Sequence, residues 1–298
     1  MQKYAIAFGT FDGLHLGHMA VLDRVKSSGF IPLALTFDVP PKMPDKSNLI
    51  LRPEEKIHLL EQMGIKPILL DFEEIKDKAP LDFLEDVVKK YSPSVISTGF
   101  NFRFGKNAAG DKETLESFCR GNGIKYLVSE PVMAGESIVS STNIRQLISN
   151  GDVSTAAKML GRPFSFEEKI VHGDKRGRTI GFPTINQAYP KELVCPKYGV
   201  YSGYTEVGGK TYRSITDIGH RPTFKTEYVI AETYLFDFKG DVYGENARVH
   251  LCDFIRSELK FNTLEELEKA LRSDKEKAIL NFKREEIIGK DDYNAKHR

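Results

Sequence analysis

Tyr4-Ala-Ile-Ala-Phe8 runs without a break into Gly9-Thr-Phe11-Asp12-Gly-Leu-His15-Leu-Gly17-His18, and helical spacing follows from His18 to Ser27. Ala5 to Phe8 is continuously apolar, as a buried strand requires, so the stretch predicts a strand, a glycine-rich turn and a helix. Glycines in such a turn let backbone N–H groups approach a ligand, and the start of a helix favours an anion. His15 and His18, three residues apart, project to one side of the turn. Two imidazoles there can donate hydrogen bonds to phosphate oxygens as charge builds in a displacement at phosphorus. The alternative is a plain turn capped by its histidines; the strand–turn–helix context favours the anion site. The P-loop pattern is absent: Gly209-Lys210-Thr211 imitates its end, but Tyr204 stands where glycine is needed, and the segment reads as a hairpin turn.

Outward from this junction the alternation continues. Pro32–Phe37, Pro67–Asp71, Ser94–Thr98 and Lys125–Ser129 read as strands, and Pro53–Met63, Leu81–Tyr91 and Lys112–Gly121 as helices. That order predicts an α/β domain with a parallel sheet and ligands at the carboxyl ends of its strands. Past Asn150-Gly151 and Gly161-Arg162-Pro163 the chain turns rich in Val, Ile, Tyr, Phe and Thr with frequent glycines, which predicts a mainly β, barrel-like or sandwich domain. The boundary is expected at residue 163, giving domains 1–163 and 164–298. A final helix is expected over Thr263 to Ile288, with Thr263 as N-cap and Glu266 three residues on, and a frayed tail after Gly289.

The 298 residues are 40% hydrophobic and 29% charged, the composition of a globular protein long enough for two cores. Lys and Arg number 43 against 42 Asp and Glu, so no net field recruits nucleic acid or an anionic membrane. Cys119, Cys195 and Cys252 are scattered, with no CxxC spacing, which suits reduced thiols in a cytoplasmic protein and supports neither a disulfide framework nor a zinc site. The first apolar run is too short for a secretion signal or a membrane span. Small molecules are the partners expected; the sequence sets no oligomeric state.

The second half carries Val171-His-Gly173-Asp-Lys175-Arg-Gly177-Arg178-Thr-Ile-Gly181-Phe-Pro-Thr184-Ile-Asn186. Three glycines with Lys175, Arg176 and Arg178 suit a phosphate-cradling loop, and suit a solvated basic hairpin equally well. Thr184 and Asn186, two apart in an extended segment, share a face and offer hard oxygens for Mg²⁺ beside phosphates. In the first half, Arg145 offers a guanidinium fork, and Ser141 and Thr142 stand at a further helix start.

Gly9 to His18 resembles the signature of the HxGH nucleotidyltransferases, in the form found in bacterial bifunctional riboflavin kinase/FAD synthetases. Ser140-Ser141-Thr142-Asn-Ile-Arg145 is similar to that family's serine-rich motif, and Thr98-Gly-Phe-Asn101-Phe-Arg-Phe104-Gly105 to its flavin-side strand end. Val171 to Asn186 resembles its riboflavin kinase signature, followed in order by Gly199-Val-Tyr201, Ile218 to Phe224, Glu232, Asp241 to Gly244 and Arg256 to Phe261.

The resemblance implies that ATP phosphorylates riboflavin to FMN in the C-terminal half. FMN is then adenylylated by ATP to FAD, with release of pyrophosphate, in the N-terminal half. It implies catalytic roles for His15, His18, Arg145 and Glu232, the last as base toward the riboflavin 5′-hydroxyl. ATP would meet Gly9, Phe11, Asp12, Gly17, Ser140, Ser141 and Thr142 in one site and Gly173, Lys175, Gly177, Arg178 and Gly181 in the other. Flavin would meet Asn101 and Phe104, and Mg²⁺ would meet Thr184 and Asn186. Three places depart from the family pattern: Ala108 replaces an Arg, Val39-Pro40 lacks a histidine, and Asp217, taken as a loop residue near the substrate, replaces an Asn. These departures leave open a chain with one live activity, or a flavin-binding regulatory protein.

Overall fold

Strand β1 (Tyr4–Phe8) is buried from Ala5 onward because helices cover both of its faces. On one face Ala5 and Ala7 pack with Val21, Leu22 and Val25 of helix α1 (Leu16–Lys26) and Leu60 of α2 (Pro53–Gln62). On the other, Ile6 and Phe8 pack with Phe83 and Leu84 of α4 (Pro80–Tyr91) and Leu115 of α5 (Lys112–Gly121). The computed structural model describes residues 3–41, 43, 47–172, 181–222 and 227–296, with backbone alone for 221, 222, 227, 264 and 283–296. The chain divides into two compact units: residues 1–145, 159–161 and 192–194 in the first, and 146–158, 162–191 and 195–298 in the second.

In the first unit, β1 joins β2 (Ile31–Thr36), β3 (Lys66–Leu69), β4 (Pro93–Gly99) and β5 (Lys125–Ser129) in a parallel sheet of order β3-β2-β1-β4-β5. Strand order reverses between β1 and β4, and in an open parallel sheet the crevice outside such a switch point is where ligands lie. The loops after β1 and β4 therefore flank it. The strands and helices expected before residue 130 are present with ends shifted by one or two residues at most. Not foreseen were the single turn α3 (Phe72–Ile75), which Asp71 caps by accepting from Glu73 N–H at 2.9 Å, the small hairpin β6 (Met133–Ala134) and β7 (Ser137–Ile138), and helix α7 (Val153–Leu160). Helix α6 (Ser141–Asn150) starts where a helix start was expected.

The second unit is an antiparallel sheet of order β8-β13-β10-β11-β12-β9. Its strands are β8 (Phe164–Lys169), β9 (Thr184–Ala188), β10 (Gly199–Val207), β11 (Lys210–Pro222), β12 (Glu227–Leu235) and β13 (Asn246–Ser257). Gly208 and Gly209, at φ 57° and 70°, form the two-residue hairpin turn between β10 and β11, as expected for that segment. The sheet curls until its edges meet. Val171 N–H donates to the Asn186 carbonyl at 2.8 Å, and the buried Gln187 amide donates to the carbonyls of Glu168 at 2.6 Å and Ala247 at 2.8 Å. An unpaired sheet edge invites other strands, and these bonds cover part of it. The architecture is the expected one: a parallel α/β unit, then a barrel-like β unit with a C-terminal helix.

That helix, α8 (Leu264–Lys296), begins at Thr263, whose hydroxyl accepts from Glu266 N–H at 3.2 Å, while the Glu266 carboxylate accepts from Asn262 N–H at 2.9 Å. It continues to Lys296, past the point where fraying was expected. Ala278 and Phe282 pack on Val200, Ile215 and Phe236 of the sheet. Asp274, 1% exposed, receives Arg256 Nε at 3.0 Å and Nη2 at 2.8 Å. Among the described residues no helix is long and apolar enough to cross a membrane. Removing one partner of a buried ion pair strands the other, at a cost of about 3–5 kcal/mol. Asp274→Ala should therefore destabilise the second unit by about that amount in urea unfolding, and raise amide exchange in α8 first.

Candidate active sites

His15 is the N-cap of α1, with its Nδ1 accepting the backbone N–H of His18 at 3.2 Å. That bond places the imidazole proton on Nε2. The His15 and His18 rings stack with centroids 3.6 Å apart and 16° between their planes, so the HxxH spacing does bring the two together. Phe11, 1% exposed, meets the His18 ring edge-on at 5.4 Å and holds it from below. His18 Nδ1 is buried with no hydrogen-bond partner among the described residues. Burial, then the neighbouring His15, Lys56 and Arg145, keeps His18 neutral far below the ordinary histidine range. The first turn of α1 carries no acidic residue, so its N-terminal dipole is left uncancelled.

The glycines of the turn serve side chains of the site itself. A Cβ at Gly9 would meet the Phe11 ring at 2.8 Å, and one at Gly17 would meet the His15 ring at 3.1 Å. Asp12 is buried and accepts from Ile50 N–H at 3.1 Å, Leu51 N–H at 3.3 Å and Arg145 Nη2. Burial raises its carboxyl above the ordinary value, against the pull of Arg145 and those two N–H groups. Arg145 also donates from Nε to the Asn48 carbonyl at 2.8 Å. Two residues expected to face ATP thus hold each other across the loop. Ser141 is similarly engaged, its hydroxyl donating to the Asp12 carbonyl at 2.9 Å, while Ser140 accepts from Asn143 N–H at 3.3 Å and caps α6. Thr142 lies exposed on the first turn of that helix.

At the end of β4, Asn101 is exposed at the turn. Phe104, expected at the flavin, is 7% exposed and packs with Phe83 and Phe102, and Gly110 lies so close that a Cβ there would meet its ring at 2.7 Å. The exposed ring of that segment is Phe100. Ala108 sits exposed in the left-handed region at φ 54°.

Sequence reasoning missed Lys56. It stands on α2 four residues before Leu60, on the buried stripe of the helix, and is 2% exposed. The signal available was that spacing alone: a lysine at a core position of an amphipathic helix is rare and needs partners. Its Nζ donates to the carbonyls of Thr10 at 3.2 Å, Asp38 at 3.2 Å and Phe37.

In the second unit, strand register aligns the candidate residues. Arg256, Val200, Asp217, Glu232 and Asn186 lie opposite one another across β13, β10, β11, β12 and β9, and Tyr234 lies opposite Thr184. Directly paired residues share a face, so Thr184, Asn186, Glu232 and Asp217 point to one side of the sheet. Asp217 is thus a strand residue beside Glu232, not a loop residue. Asn186 is 5% exposed and its Oδ1 has no partner among the described residues, a buried oxygen in want of a donor or a cation. A cavity of about 130 Å³ adjoins Thr184, lined among others by Ile185, Leu235, Phe238 and Tyr243. Gly181 adopts φ 80°, whereas Gly173, Lys175, Gly177 and Arg178 lie outside the described residues.

Comparison with known proteins gives two family matches: residues 1–143 match the family described as FAD synthetase and residues 160–282 the family described as riboflavin kinase. A Bacillus subtilis bifunctional riboflavin kinase/FMN adenylyltransferase is 34% identical over 94% of this chain and 93% of its own length. The protein of the same description from Escherichia coli K12 is 31% identical over 90% of each. A crystal structure from Streptococcus pneumoniae, described as a macrolide-efflux protein, is 31% identical with a TM-score of 0.85, covering 93% of this chain and 94% of that one.

The histidine pair yields a titration prediction. The unfolded chain binds a proton at His18 near the ordinary value of about 6.5, while the fold refuses it to lower pH. The unfolded state therefore holds more protons below about 6.5, and the first unit loses stability as pH falls from there toward the depressed value. NMR should show His18 still neutral at a pH where an ordinary histidine is charged, and His18→Asn should weaken the acid dependence of unfolding.

Proposed function

Because the chain belongs to the bifunctional riboflavin kinase/FMN adenylyltransferase family, we propose that it makes FMN from riboflavin and ATP, and FAD from FMN and ATP. The observation that carries this reading is the presence of two unlike polar arrangements, one in each unit, the first suited to an anion and the second to a cation and a hydroxyl. One is a stacked imidazole pair at a helix start; the other is a threonine, an asparagine and a glutamate sharing a sheet face. We assign the adenylyltransferase to residues 1–163 and the kinase to 164–298.

In the kinase half, Glu232 accepts the proton of the riboflavin 5′-hydroxyl as its oxygen bonds to the γ-phosphorus and the bridging oxygen leaves with ADP. A loose transition state asks little basicity of that carboxylate. Mg²⁺ is the cation that the unsatisfied Asn186 Oδ1 and the neighbouring Thr184 hydroxyl fit; when bound it draws negative charge from the triphosphate. Gly173, Lys175, Gly177, Arg178 and Gly181 belong to the loop we assign to the ATP phosphates.

In the adenylyltransferase half, a phosphate oxygen of FMN attacks the α-phosphorus of ATP and pyrophosphate leaves. His15 and His18 donate to the phosphate oxygens. A neutral His18 suits this work, since it brings a proton to share without the desolvation cost of a buried charge. Arg145, fixed by Asp12, presents its remaining N–H groups to the triphosphate, with Gly9, Gly17 and the start of α6 beside it. Asn101 stands on the flavin side. The substrates are small molecules and the site of action is the cytoplasm.

Chromatographic product analysis, begun separately from riboflavin and from FMN with Mg·ATP, tests both steps. FMN must appear in the first reaction and FAD in the second; absence of either removes that half of the reading. His18→Ala should lower FAD formation by about 10²-fold or more and spare FMN formation, and Glu232→Gln should do the reverse. Equal loss of both activities in either variant would contradict separate sites.

A further inference from the structure

Beneath the first site a buried cation holds the backbone of two loops. Thr10, in the loop after β1, turns its carbonyl toward the Lys56 ammonium at 3.2 Å and the Thr36 hydroxyl at 3.0 Å. Phe37 and Asp38, after β2, turn theirs to the same ammonium, Asp38 at 3.2 Å. Thr36 is fully buried and Lys56 is 2% exposed, so water does not compete for these bonds. In a planar trans peptide the carbonyl and the next residue's N–H point in opposite directions. With the Thr10 and Phe37 carbonyls aimed inward at Lys56, the N–H groups of Phe11 and Asp38 are aimed away from it, and neither donates to any described group.

We propose that Lys56 is a positioning residue of the adenylyltransferase site: its charged ammonium fixes the peptide planes of the β1 and β2 loops so that their N–H groups form an anion-holding rim for the ATP phosphates. The proposal rests on the reading of the first site given above. Its chemistry is cation inside, anion outside, with oriented peptides between them. The positive charge also adds to the field that holds an anion beside the histidines.

The arrangement carries a pH signature. Burial lowers the Lys56 ammonium to about 8, opposed by Asp12 and Asp38. The other charged or titratable groups facing this region are His18, with His15 stacked on it, and Arg145; the ordinary values of histidine and arginine side chains lie outside pH 7 to 9, and burial lowers His18 further. Lys56 is therefore the group that changes charge between pH 7 and 9. Its charged fraction falls from about nine-tenths to about one-tenth over that interval. In the unfolded chain a lysine keeps its proton to about 10.4, so the unfolded state holds more protons in this window and the fold gains stability as pH rises. A loss of ATP affinity there is not unfolding.

The test is steady-state FAD formation from FMN by the full chain, with ATP varied at pH 7, 8 and 9, alongside FMN formation from riboflavin and thermal melting. For the wild-type chain KM for ATP should rise about tenfold from pH 7 to 9, with FMN formation following a different profile. Lys56→Met should show the raised KM already at pH 7 with no further rise, and Lys56→Arg should keep a low KM across the range. A wild-type KM that does not move between pH 7 and 9 overturns the proposal, as does a folded Lys56→Met enzyme with the wild-type KM and profile. If Lys56→Met fails to fold, the wild-type and Lys56→Arg profiles decide. No FAD from the wild-type chain at pH 7 would overturn the reading of the site itself, whereas FAD formation with a flat KM overturns only the role of Lys56.

Discussion

A charge removed from water must find an opposite charge or a set of oriented dipoles, because a lone buried ion costs several kcal/mol or more. Both units are organised around that demand. In the first, Asp12 is met by Arg145 and two backbone N–H groups, and Lys56 is met by three carbonyls. In the second, Asp274 is met by the fork of Arg256. Each pairing joins separate segments, and in the first unit the bonds converge on the loop after β1 through Thr10 and Asp12. The loops stand where they do because their interior sides satisfy buried charge, which frees their outer sides for a ligand.

This explains the division between what could be read from the sequence and what could not. The strands and helices of the first unit were legible because a strand buried on both faces is a continuous apolar run, as Ala5–Phe8 is, and because α4 and α5 keep helical spacing between turn signals. The β-rich texture after Pro163 was legible for a similar reason. The groups that close the second sheet were not, since Gln187 reaches two carbonyls on other strands and Val171 N–H meets the Asn186 carbonyl. Nor were the partners of Asp12 and Lys56: Arg145 lies 133 residues from the first and Thr10 lies 46 residues from the second. Local pattern carries no trace of such contacts.

The same limit explains why motif residues did not all stand where a motif suggests. A motif records which residues recur together but not which of them touch ligand. Phe104 belongs to the flavin-side stretch, yet its ring fills core space beside Phe83, and Gly110 is glycine to make room for it. Gly9 and Gly17 likewise make room for the rings of Phe11 and His15. Half of the signature after β1 therefore builds the support on which the other half acts. In this sense His18 is defined by its surroundings: stacked on His15, braced by Phe11 and surrounded by cationic groups, it stays a neutral donor where an isolated histidine would charge.

The two proposed sites would hold a triphosphate by opposite means. The first is made at strand ends, from loops whose peptide planes must be fixed by groups beneath them, and its geometry is only as good as those anchors. The second is made on a sheet face, where ladder bonds already fix Thr184, Asn186 and Glu232 relative to one another. Functional groups on strands need less support than groups on loops. What the second site needs is control of charge, because Glu232 has the carboxylate of Asp217 as its direct neighbour in the adjoining strand. Arg256, one further pair along the same row beyond Val200, is a positive charge that acts against the burial of Asp217, and Asp274 of α8 fixes where that charge lies. The C-terminal helix thus does more than cover apolar surface: through a single buried carboxylate it sets the position of the cation that balances the acidic row.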